Sequence, residues 1–169
     1  ERLIPLPGHP SLWVVSTLVG ADGSALTFDW RSVGNGAYLQ KVSDAQGRTV
    51  LALAYEGVTT HLTLQPDTPA QVVMSFHRVS GQLRRVTVDG LPDSGWQFEY
   101  TRSDSGLLLL NKCTQPTGSS EEVTYSEAKG LALPPGAPFA RMPVVSQTRK
   151  DPGDGQPVQL VRYDYGLYG

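Results

Sequence analysis

The chain has 169 residues, a net charge of −2, and 39% hydrophobic against 18% charged residues. That balance excludes a disordered tail and removes the electrostatic argument for binding nucleic acid. No apolar run approaches the roughly 18 residues of a membrane-spanning helix.

Glycine and proline number 18 and 13, so turns are frequent. The single cysteine, Cys113, excludes an internal disulfide framework and a cysteine-based zinc cage. The chain opens on Glu1 with no signal-peptide pattern, which predicts a segment of a longer protein.

Helical periodicity is nearly absent, and period-two alternation takes its place. In chain order, Leu26, Phe28 and Trp30 alternate with Thr27, Asp29 and Arg31. Leu51, Leu53 and Tyr55 alternate with Ala52 and Ala54. Trp96, Phe98 and Tyr100, then Val123 and Tyr125, then Val161, Tyr163 and Tyr165 repeat the pattern. Each reads as a half-buried strand. Turn signals separate them: Asp22-Gly23, Gly34-Asn35-Gly36, Gln46-Gly47, Ser80-Gly81, Ser105-Gly106, Thr117-Gly118 and Asp154-Gly155. Glycine supplies the positive φ of such hairpin turns. Short spacings predict consecutive antiparallel hairpins, roughly ten strands in all. The expected fold is all-β, a sheet of antiparallel hairpin repeats forming a twisted strip, a half-barrel or a sandwich. Residues 131–143, with four prolines, read as an extended loop carrying packed Leu131, Leu133, Phe139 and Met142.

Aromatic strand ends fall at Trp30, Tyr55, Phe76, Tyr100, Tyr125 and Tyr163, with strides of 25, 21, 24, 25 and 38. A turn glycine and a short apolar strand recur between them: Gly36 before Leu39 and Val42, Gly81 before Leu83 and Val86, Gly106 before Leu110 and Cys113. A lone hairpin cannot bury its apolar face, so stacked neighbours must.

The order Gly36, Leu39, Val42, Asp44, Gly47, Tyr55 resembles the YD-repeat of Rhs proteins and of the shell components of insecticidal toxin complexes. Residues 116–125 look like the same unit in a Pro-x-Gly form, and Leu160 to Tyr165 is similar to a family strand with its Tyr-Asp pair. The unit at Gly81 lacks the Asp-x-x-Gly turn, and Cys113 stands where valine is usual. The resemblance covers most of residues 25–169; residues 1–24 form a leading strand region without a motif. It implies a bacterial protein, secreted or at the cell surface, whose repeats wind into a shell around a toxin polypeptide. The implied partners are the rest of that shell and the enclosed polypeptide, with no catalysis and no cofactor.

The residues themselves nominate no catalytic, cofactor-binding or metal-ligating group. His9, His61 and His77 lack ligand spacing. No Gly-x-Ser-x-Gly elbow or phosphate-binding glycine loop appears. Asp151-Pro152-Gly153 reads as a turn, although Rhs cores end in an Asp-Pro self-cleavage signature. Cys113 reads as a small hydrophobe. Glu121 and Glu122, as strand neighbours, point apart and cannot act as a glycosidase pair. Trp13, Trp30 and Trp96 leave one alternative open: a carbohydrate-binding module that stacks sugars on exposed indoles.

Overall fold

The computed structural model describes residues 2–6 and 8–165, the side chains of 92–94 excepted. Glu1, Pro7 and the last four residues of the family-like stretch lie outside the described residues. The described chain is all-β and antiparallel, with thirteen strands and no helix. It divides into two compact units. The first comprises residues 1–81 and 88–90, and the second residues 82–87 and 91–169.

The first unit holds β1 (Arg2–Leu6), β2 (His9–Val19), β3 (Ala25–Val33), β4 (Gly36–Ser43), β5 (Thr49–Glu56), β6 (Thr59–Leu64) and β7 (Val72–Val79). Each strand pairs with the next, so the unit is a meander. The second unit holds most of β8 (Gln82–Val88), then β9 (Leu91–Arg102), β10 (Leu108–Thr114), β11 (Ser120–Ala132), β12 (Arg141–Asp151) and β13 (Gln159–Arg162). From β9 onward it too pairs in sequence. Neither unit folds into a sandwich, because the extensive contacts join sequential neighbours.

Four turns share one construction. Gly20, Asp44, Ser103 and Gln115 each take the carbonyl four residues on as acceptor for their N–H, and each accepts from the glycine three residues on. Those glycines, at 23, 47, 106 and 118, have φ between +77° and +86°. This is a type I turn closed by a left-handed residue, the geometry of the three-residue hairpin loop. Asp44 reinforces its turn by accepting from the Gln46 and Arg48 N–H groups, and its carboxylate pairs with the Arg48 guanidinium at 2.7 Å.

The leading strand region holds β1, which has no alternation in its sequence, Arg-Leu-Ile-Pro-Leu, and is set by pairing with β2. One expectation is revised. The proline-rich stretch is the tip of a long hairpin. Leu131 pairs with Met142 and Ala132 with Arg141, so the loop proper is residues 133–140. Pro143 is tolerated inside β12 because it sits at a register shift, where the ladder needs no N–H. Leu131 and Met142 are exposed, whereas Leu133 and Phe139 are half-buried. The apolar core is thin: among the described residues Leu6, Val14, Val42 and Val86 are the buried hydrophobics.

Candidate functional surfaces

Three of the expected aromatic strand ends, Trp30, Tyr55 and Tyr125, together with Tyr165 in place of the expected Tyr163, act on the backbone. The Trp30 indole N–H donates to the Val15 carbonyl at 2.7 Å. The Tyr55 hydroxyl donates to Leu39 at 2.8 Å, Tyr125 to Leu110 at 2.7 Å and Tyr165 to Val145 at 2.8 Å. The geometry is constant in all four. The aromatic stands three residues past the last ladder pair, which is Thr17–Thr27, Lys41–Ala52, Lys112–Glu122 or Gln147–Arg162. The accepting carbonyl stands two residues before that pair's earlier member. Where two strands part, a carbonyl loses its ladder partner, and the aromatic tip replaces it.

The cause of the parting is a β-bulge. Each accepting residue precedes one extra residue that opposes nothing across the preceding strand: Ser16, Gln40, Asn111 or Ser146. All four are uncharged and polar. Ser16 and Ser146 make the same bond, Oγ donating at 3.1 Å to the Arg2 and Thr124 carbonyls respectively. A bulge bends its strand and increases local twist, which carries it away from the next strand.

The caps run in series. Trp30 sits opposite Leu39, which accepts from Tyr55; Tyr125 sits opposite Val145, which accepts from Tyr165. One step past two of the bulges an acid faces a lysine, Asp29 to Lys41 at 3.2 Å and Glu99 to Lys112 at 3.6 Å. Tyr38 meets Tyr55 edge-on at 5.1 Å, and Arg84 lies over the Tyr100 ring at 5.2 Å.

The three tryptophans differ. Trp13 on β2 is 60% exposed, whereas Trp30 and Trp96 are more deeply set and Trp30 is committed to its cap.

Polar groups gather in two other places. On β6 and β7, the paired His61 and Ser75 approach at 2.9 Å, and Glu56 lies 3.6 Å from the other nitrogen of His61. Thr59 and His77, paired two residues along, approach at 3.2 Å. The Ser–His–Glu order is that of a hydrolytic triad, yet Ser75 is only 6% exposed. Its hydroxyl is sealed in the sheet, so the set works as a cross-strand ladder. In the second unit, the splay of β10 from β11 leaves a hollow of about 280 Å³ beside Arg102, Asn111, Glu122, Tyr125 and Glu127. Glu127 accepts from the Ser105 N–H at 2.9 Å and hydroxyl at 2.8 Å, fastening the β9–β10 turn across the gap. The Asn111 Oδ1 is buried without a hydrogen-bond partner.

Cys113 is a half-buried free thiol, its pKa raised by desolvation and then by Glu121. Among the described residues no cluster of histidine, cysteine or carboxylate groups is arranged to hold a metal ion. No described helix is long and apolar enough to cross a membrane. The repeated aliphatic–polar step, Val15-Ser16, Leu39-Gln40, Leu110-Asn111 and Val145-Ser146, marks the four capped bulges, and strand alternation alone does not reveal it. No family model matches the chain, and no curated protein matches it.

Proposed function

We propose that this chain is a non-enzymatic wall segment of an Rhs-like repeat shell that encloses a toxin polypeptide in a secreted or surface-associated bacterial protein. The observation that supports this reading is the fourfold aromatic cap on a bulge carbonyl. It repeats the same tie between successive strands in both units, and a repeated tie is what lets similar units be added in line. The test is the intact polypeptide that carries the chain. A length above about a thousand residues, with further tyrosine-ended hairpins and a segment protected from protease until the wall is opened, supports the reading. A reading frame that ends with this unit alone overturns it.

The exposure of Trp13 favours a second reading, a carbohydrate-binding module. Glycan-array binding that disappears in Trp13→Ala supports it; an empty array removes it.

A further inference from the structure

The long hairpin of the second unit, β11 to β12, ends unlike its neighbours. The turns at Asp104, Thr117 and Asp154 carry polar side chains, as turns in water do. From Gly130 to Ala140 no side chain holds a polar atom. The last rungs, Leu131–Met142 and Ala132–Arg141, have no ladder neighbour on either side among the described residues. The ladder of β10 with β11 stops at Glu122, and that of β13 with β12 stops at Gln147. The tip therefore leaves the sheet along the strand direction, with Leu131 66% and Met142 48% exposed. Hairpins added in line extend a sheet sideways, so the tip stays at the rim whether or not the chain continues.

Two features fit this tip to lipid. The first is its backbone. In the loop 133–140, Pro134, Pro135 and Pro138 have no N–H, while Leu133 and Ala137 donate theirs inside the loop, to Ala140 at 3.0 Å and Pro134 at 3.1 Å. Five of the eight residues thus offer no amide proton to water, and unpaired amides are what make irregular backbone costly in hydrocarbon. The second feature is a collar of positive charge. Residues 128–150 include Lys129, Arg141, Arg149 and Lys150 and no acid, in a chain of net charge −2. Arg141 flanks the loop, and its Nη1 donates to the Ala128 and Gly130 carbonyls at 3.2 and 3.1 Å. Those bonds hold the guanidinium beside the tip, and no described carboxylate pairs with it. Lys129 reaches Asp164 at 2.7 Å in an exposed pair, which contributes little. A protein partner is registered by hydrogen bonds across its interface, and the loop has no side chain to make them. A bilayer surface requires none.

We infer that the β11–β12 tip inserts into the interfacial layer of an anionic lipid bilayer, with Leu131, Leu133, Phe139 and Met142 against the acyl chains and Arg141 and Lys129 at the lipid phosphates. The contact anchors the tip at one membrane face and does not span the bilayer. It rests on the composition, hydrogen bonding and charge of the hairpin and is independent of the shell reading.

The test uses the full 169-residue chain and vesicles of phosphatidylcholine and phosphatidylglycerol at about three to one. The chain should float with the vesicles, and hydrogen exchange should slow at residues 131–142. Leu131→Asp combined with Met142→Asp should lower the partition more than about tenfold with the melting curve retained, since both side chains are exposed. Arg141→Gln should lower it about fivefold, whereas Arg141→Lys, which keeps the charge, should restore most of it. Failure to float, flotation undiminished in the double variant, or equal flotation with phosphatidylcholine alone each overturns the inference. So does protection of residues 131–142 that grows with protein concentration in the absence of vesicles, which would make a second copy the occupant.

Discussion

A tyrosine hydroxyl that caps a lone carbonyl contributes about 0.5–1.5 kcal/mol, and removing it also strands the acceptor. Tyr55→Phe should therefore cost about 1 kcal/mol in urea unfolding, and Tyr125→Phe less, because its bond is exposed to water that can replace it. Equal and negligible losses would mean the caps are incidental. Glu127 offers a pH test. Its pKa is lowered, first by the Ser105 N–H and then by the Ser103 and Ser105 hydroxyls. A carboxylate depressed in the folded state stabilises above its unfolded pKa, and that stability is lost as pH falls through the folded value. The Ser105 amide shift should titrate below the ordinary glutamate range, and Glu127→Gln should flatten the curve. Titration at the ordinary value would show that the clamp is open in solution.

At the scale of the hairpin, turn glycines and strand glycines fail for different reasons. Gly118 has φ +86° with open space where a Cβ would stand, so Gly118→Ala costs about 1 kcal/mol of backbone strain alone. Gly130 lies on β11 beside the register shift, where a Cβ would collide with the backbone carbonyls of Met142 and Glu127. Backbone cannot move aside as a side chain can, so Gly130→Ala should cost more, about 1–3 kcal/mol. Thermal melts of the two variants should keep that order. Cys113 lies two residues past its bulge as Val42 lies two past Gln40, so Cys113→Val should shift stability by less than about 1 kcal/mol.

The hairpins and their turns were legible because alternation and glycine placement are local. The bulges were not. An extra residue such as Gln40 or Asn111 looks like any polar strand position until the partner strand fixes the register. Trp30, Tyr55 and Tyr125 were legible as repeat markers, whereas the fourth cap falls on Tyr165 and not on the expected Tyr163, and Tyr125 lies inside β11 instead of at its end; the acceptors lie 15 to 20 residues away and need the fold to be seen. The tip at Leu131 and Met142 misled for a related reason: apolar side chains near prolines suggest packing, yet the hairpin carries them into solvent.

At the scale of the whole molecule, the thin core and the many exposed apolar residues, Trp13, Leu131 and Leu160 among them, fit a wall better than a self-contained enzyme. Cap hydrogen bonds and ladders then supply cohesion that a deep core supplies elsewhere. The wall reading makes one demand that neither a lectin nor a catalyst makes: the chain must sit among further hairpins of its own kind. The most direct measurement is an electron-microscopy structure of the intact polypeptide that carries it. The account predicts these strands within a continuous hairpin wall, with density for another polypeptide against one face. Finding them instead as a free-standing module, with solvent on both faces, would contradict it.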